Sequence, residues 1–164
     1  LMSDFKDSKD VGDALEEPVL KYIKTLYPKA YIKEEYFKYW DIYIPEVNVS
    51  IECKFDKGIN KHNNFFLEIQ SNDKPSGLSV TKSDFMVFYD GKNIYWFLTS
   101  DIRRCIYSNE IKPRLNYPQE DKVAKLAYLM PKSLLLPYKI ENQTKFEEQL
   151  AIVAEHNKNM FDND

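Results

Sequence analysis

Three charged residues fall within a short stretch otherwise dominated by aromatic and β-branched side chains. Asp41 lies in Tyr39-Trp40-Asp41-Ile42-Tyr43-Ile44, and Glu52 and Lys54 lie in Val49-Ser50-Ile51-Glu52-Cys53-Lys54-Phe55-Asp56. In an extended strand, alternate side chains share a face, so Glu52 and Lys54 point one way while Ile51, Cys53 and Phe55 point the other. Burying an acid and an amine in so apolar a segment is costly unless they pair or bind an ion. If the chain turns at Pro45-Glu46, Asp41 comes to lie beside Glu52, and two carboxylates then converge next to an ammonium. Such a site suits a hard divalent cation, because magnesium takes oxygen ligands: here two carboxylates, a backbone carbonyl, water and substrate phosphate oxygens. Lys54 could orient or help deprotonate a water, or neutralise charge on a scissile phosphate. The chemistry is phosphodiester hydrolysis.

Asp41, ten intervening residues, then Glu52-Cys53-Lys54 resembles the Asp…(Asp/Glu)-x-Lys signature of the PD-(D/E)XK nuclease superfamily, which includes restriction endonucleases and Holliday-junction resolvases. Gly12 followed four residues later by Glu16 matches the glycine and glutamate that such resolvases often carry in their first helix. Trp40 stands where the name motif has proline. The resemblance spans roughly residues 12–89. It implies an α/β fold with a restriction-endonuclease-like core, a mixed central β-sheet flanked by helices in the order α-β-β-β-α-β. It also implies a metal-dependent endonuclease acting on DNA, with Asp41 and Glu52 holding Mg2+ or Mn2+, Lys54 serving the water or the transition state, and Glu16 completing the ligand set. Glu16 lies about 90° from the centre of the helix's apolar stripe, and Glu17, on the opposite side, is the alternative. Without a separate recognition domain, the expected enzyme is a structure-selective one such as a junction resolvase working as a homodimer, or a subunit targeted by partners. RNA as substrate, or a non-catalytic nucleic-acid-binding or assembly module on the same fold, are the alternatives.

The elements that must position these residues follow from periodicity. Val11, Ala14, Leu15, Val19, Tyr22, Ile23 and Leu26 recur at helical steps between Asp10 and Leu26, with Pro28 closing the run and Pro18 predicting a kink or a later regular start. Tyr31–Phe37, Trp40–Ile44 and Val49–Phe55 read as an antiparallel meander. A polar loop over 56–64 leads to a strand over 65–70, and residues 80–84 read as one helical turn. Two strands over 85–89 and 94–98 flank the hairpin signal Asp90-Gly91, and a short helix over 101–107 is expected to be capped by Ser100 or Asp101. Over residues 122–136, Val123, Leu126, Leu129 and Met130 fit a helix and residues 126–130 before Pro131 fit a strand equally, the reading taken being a strand followed by a helical turn, and Thr144 with Glu147 forms a capping-box pattern for a last helix.

Glu68 and Gln70 share a face of the 65–70 strand and would join the site if that strand neighbours the one holding Lys54. Lys57, Lys61, Lys82, Arg103 and Arg104 are the candidate phosphate contacts, whereas His62 reads as a surface residue. With 164 residues, 43% hydrophobic, 15% aromatic and only four Gly, the chain excludes disordered and fibrous classes. One domain over 3–164 is expected, with a core over about 10–107 and an extension over 108–164. The net charge of −3 argues against bulk coating of nucleic acid, although residues 101–140 carry eight Lys/Arg against four acids. Cys53 and Cys105 have neither CxxC spacing nor clustered histidines, so reduced thiols are expected. No long apolar run and a polar first segment predict an intracellular protein without a membrane span, located in the cytoplasm.

Overall fold

The computed structural model describes residues 8–33, 37, 39–116 and 123–162, with side chains for 15–33, 37, 39–116 and 123–160. The chain is of mixed α/β class. Helix α1 (Ser8–Leu26) runs unbroken through Pro18 and is followed by β1 (Tyr31–Ile32), β2 (Ile42–Ile44) and β3 (Val49–Phe55). These strands form the expected antiparallel meander, in register Tyr31↔Tyr43 and Ile42↔Ile51. The first strand covers only the start of the predicted 31–37 run, of which residues 34–36 lie outside the described residues. Asn48 closes the β2–β3 turn at φ 52°, a left-handed conformation that asparagine tolerates better than most residues. Its Oδ1 accepts a hydrogen bond from the Tyr43 hydroxyl.

Strand β3 pairs in parallel with β6 (Phe85–Tyr89), which pairs antiparallel with β7 (Ile94–Leu98), giving a mixed sheet in the order β1-β2-β3-β6-β7. The predicted 85–98 hairpin is present. Asp90 Oδ1 accepts from the backbone N–H groups of Lys92 and Asn93 at 2.8 and 2.6 Å, and Gly91 takes φ 94°. A parallel pair needs a crossover, and here it is elaborate. It contains α2 (Gly58–His62), where a plain polar loop was expected, then β4 (Asn64–Ser71) and β5 (Lys74–Pro75). A 3₁₀ turn over Gly77–Ser79 replaces the helical turn expected at 80–84.

β4 does not neighbour β3. It joins a second, antiparallel sheet in the order β5-β4-β9-β8, with β8 (Arg114–Asn116) and β9 (Lys125–Pro131) supplied from beyond residue 107. The predicted strand and helical turn near 122–136 are β9 and α4 (Lys132–Leu135). Helix α3 (Thr99–Ser108) starts two residues early, and no side chain caps it. Helix α5 (Gln143–Asp162) is capped by Asn142, whose Oδ1 accepts from the Lys145 N–H at 2.9 Å. Glu147 is not part of a box with Thr144; it accepts from the Tyr22 hydroxyl at 3.1 Å instead.

The alternation within β3 decides the layers. Ile51 and Cys53 pack with Phe85 and Val87 against Leu15, Val19 and Ile23 of α1 and Phe146 and Leu150 of α5. On the opposite face, Met86, Phe88, Tyr95 and Phe97 pack against Phe65 and Leu67 of β4, Ile102 of α3 and Met130 of β9. The central sheet is therefore covered by helices on one face, and by a second sheet with α2 and α3 on the other. That second face departs from the purely helical cover expected.

Glycine is required at position 77, where φ is +50° and an added Cβ would stand 2.4 Å from the Glu68 carbonyl oxygen. Gly77→Ala is expected to cost about 2 kcal/mol, read as a lower urea midpoint with unchanged m-value. An unchanged midpoint would mean that the crossover yields freely.

Candidate active site

The β2–β3 register sets the site. With Ile42 opposite Ile51, antiparallel pairing places Asp41 opposite Glu52. The Asp41 N–H donates to the Ile51 carbonyl at 3.0 Å, and Asp41 Oδ2 accepts from the Cys53 N–H at 2.7 Å. The carboxylate is thus clamped to the strand that carries Glu52 and Lys54. Glu52 is buried, with 8% of its side chain exposed, and its Oε1 lies 3.2 Å from Lys54 Nζ. Glu52 Oε2 is also buried and has no hydrogen-bond partner among the described residues. Lys54 keeps 43% of its side chain in solvent, so the pair has one dry and one wet end.

Burial works against the Lys54 ammonium, but the carboxylates of Glu52, Asp41 and Glu68 outweigh it and hold its pKa above the ordinary lysine value. The Cys53 thiol is pushed well up, first by burial and then by Asp41, Glu16 and Glu52. It is a packing residue and not a nucleophile. The coupling sets Glu16 of α1 near Cys53, on the face of β3 opposite Glu52 and Lys54, while Glu17 is exposed. Glu68 also acts on Lys54 despite belonging to the other sheet. Its own oxygens are engaged: Oε1 lies 3.1 Å from Lys125 Nζ, and Oε2 accepts from the Ser76 hydroxyl at 2.6 Å. Gln70 sits two residues further along β4, opposite Pro75 and Leu126.

Among the described residues, no three of His, Cys, Asp and Glu stand together as a ready-made metal-ligand set. Asp41 and Glu52 nonetheless fit a divalent cation that draws its remaining ligands from water, backbone and substrate. The orphaned, buried Glu52 Oε2 is the atom such a cation would satisfy. Comparison with family models, with curated proteins and with solved structures returns no match to this chain.

The basic candidates are dispersed. Lys57 lies 5.7 Å from the Phe55 ring, and Lys61 and His62 are exposed at the end of α2. The Arg103 guanidinium donates to the Leu78 and Thr81 carbonyls at 3.2 Å each, tying down the crossover. Arg104 pairs with Asp101 at 3.2 Å. Lys82 sits 4.4 Å above the Tyr39 ring.

The sequence reading passed over two aspartates. Asp56 ends β3 and folds α2 back, accepting from the Gly58 and Phe66 N–H groups at 2.9 and 2.8 Å. Asp84 leads into β6, and its Oδ2 accepts from the Ser50 N–H at 3.0 Å and from Asn157 Nδ2 at 3.4 Å. Neither stands in a motif, and only the folded register reveals their partners.

Burial raises the Asp84 carboxyl above its ordinary 3.8; the Ser50 N–H, Asn157 and His156 oppose this only in part. The folded state therefore holds the Asp84 proton to higher pH than the unfolded chain does, and this residue's contribution to stability falls as pH rises from 3.8 through the raised value. Asp84→Asn, which keeps the acceptor for Ser50, is expected to gain melting temperature relative to wild type at pH 7 but not at pH 3.5. Equal shifts at both pH values would contradict this.

No helix among the described residues is long and apolar enough to cross a membrane.

Proposed function

We propose that this chain is a metal-dependent endonuclease on a restriction-endonuclease-like core, hydrolysing phosphodiester bonds in DNA. The observation that carries the reading is the buried Glu52 oxygen without a partner, held beside a clamped Asp41 and an ammonium on the same strand. A structural ion pair gains nothing from leaving a carboxylate oxygen dry and unsatisfied, whereas a cation site needs such an atom. The order of one helix, a three-strand meander and a parallel fourth strand further supports the reading.

Each residue has a role that follows from its geometry. Asp41 and Glu52 would hold Mg2+ or Mn2+, with Glu16 reaching it directly or through water. The cation would supply charge neutralisation at the scissile phosphate and a more acidic water. Lys54, anchored by Glu52 and partly open to solvent, would hold the attacking water in line or donate to a phosphate oxygen as negative charge develops. Water oxygen bonds to phosphorus and gives up a proton to solvent, the ester bond to the leaving oxygen breaks, and that oxygen takes a proton from solvent. Glu68 tunes Lys54 from the second sheet without touching the reacting atoms.

Parallel assays on DNA and RNA of matched sequence, with Mg2+ or Mn2+, test the reading. Metal-dependent cutting of DNA is the expected result, and cutting of RNA alone would move the substrate. Undetectable Mn2+ binding by calorimetry in the folded protein would replace the enzyme with a binding or assembly module.

A further inference from the structure

A cleft of about 280 Å³ opens beside the proposed site, lined by Trp40, Tyr43, Lys82, Asp84, Asn48 and Asn157 among others. Tyr43 pairs with Ser50 across β2 and β3, so both lie on the sheet face that carries Glu52 and Lys54, Ser50 being two residues or about 6–7 Å along the strand from Glu52. Trp40 adjoins Asp41 in the chain. The cleft therefore shares a strand and a sheet face with the carboxylates, and Ser50 of its lining stands one alternation from Glu52.

Its chemistry is divided. Part of the lining is aromatic: Trp40 and Tyr43 are stacked, with ring centroids 5.1 Å apart and planes at 26°, and Phe37 and Tyr31 meet Trp40 at steep angles, 4.8 and 6.0 Å away. The rest of the lining is largely polar and firmly built, with Asn157 Nδ2 donating to the Asn48 carbonyl at 2.7 Å and Asp84 Oδ2 fixed by Ser50 and Asn157. Asp84 Oδ1 has no hydrogen bond among the described residues. Lys82, an exposed member of the lining, has its ammonium steadied over Tyr39. An aromatic pair, a hydrogen-bond acceptor and a cation in one lining match the three parts of a nucleotide: base face, base-edge amino group and phosphate. At about 280 Å³ the space lies at the small end of ligand pockets and suits one nucleotide, not a helix.

We propose that this cleft receives a single unpaired nucleotide next to the scissile phosphate. A base within a duplex has both faces covered by its neighbours and cannot present one to Trp40. The substrate class is therefore nucleic acid with an unpaired residue at the cut: a single strand, a flap or a branch point. This rests on the nuclease reading for its purpose, but its test does not require cleavage.

The experiment is equilibrium binding in EDTA of one labelled oligonucleotide, single-stranded or annealed to its complement, across a salt series. The single strand is expected to bind more tightly. Trp40→Ala is expected to lose about tenfold on the single strand and nothing on the duplex, with Trp40→Phe retaining most of the affinity. Lys82→Gln, at an exposed side chain whose loss leaves folding untouched, is expected to lower the single strand's salt slope by about one contact. Equal affinity for single strand and duplex, equal losses on both for Trp40→Ala, or an unchanged salt slope for Lys82→Gln would overturn the subsite. If the strands are discriminated through Trp40 but no metal-dependent cutting occurs, the nuclease reading fails and the subsite stands. Cutting without discrimination overturns the subsite alone.

Discussion

Lys54→Ala is expected to slow phosphodiester cleavage by about 10²- to 10⁴-fold, the range associated with a positioned proton-transfer or charge-stabilising group. The side chain is suited to this because its ammonium is fixed by Glu52 at 3.2 Å while 43% of the side chain stays in solvent. Truncation removes that ammonium and leaves Glu52 Oε1 unpaired beside Asp41. Some stability is lost as well, about 1–3 kcal/mol for a buried group left unsatisfied, which is less than a typical domain's total. Lys54→Arg is the control, since it keeps the ion pair but changes the donor geometry. Cleavage at the wild-type rate by folded Lys54→Ala protein would remove Lys54 from the mechanism.

Glu52→Gln is expected to separate function from stability. The amide oxygen can still accept from Lys54, so the half-solvated pair gives up little, on the order of 1 kcal/mol. The variant also removes a charge that is buried, unsatisfied at Oε2 and opposite Asp41, and relief of desolvation and like-charge repulsion offsets that loss. The melting temperature should hold or rise by a few degrees, while Mn2+ affinity and cleavage fall by about 10³-fold, on the order of 4 kcal/mol. A residue kept at a cost to the fold is what a functional site looks like. A clear drop in melting temperature would instead mark Glu52 as part of a structural ion pair.

Most of the site's geometry was legible because it depends on local rules. The alternation of β3 put Glu52 and Lys54 on one face. The turn after Ile44 set the register that brings Asp41 opposite Glu52, and α1 showed its apolar stripe despite Pro18. The 85–98 hairpin announced itself through Asp90-Gly91. The second sheet could not be read in this way. Phe65 and Leu67 alternate like any strand, and nothing local says that their partner is β9, some sixty residues away, rather than β3. Strands β5 and β8 are two and three residues long and largely exposed, too short for a periodicity. The caps failed for a related reason: Asn142 and Thr144 are both competent N-caps, and packing of Glu147 against Tyr22 decides between them. Asp56 and Asp84 owe their roles to backbone N–H groups brought to them only by folding.

The central claim is that Asp41, Glu52 and Lys54 hydrolyse phosphodiester bonds with a divalent cation. The most direct measurement is cleavage of linear duplex, single-stranded and four-way-junction DNA, and RNA, in Mg2+, Mn2+ or EDTA, beside the Glu52→Ala protein. The account predicts cutting that needs metal, vanishes in EDTA and is lost in the variant, with substrates carrying unpaired nucleotides cut fastest. Cutting that survives in EDTA or in the Glu52→Ala protein, or no cutting of any substrate by folded wild-type protein, would contradict it.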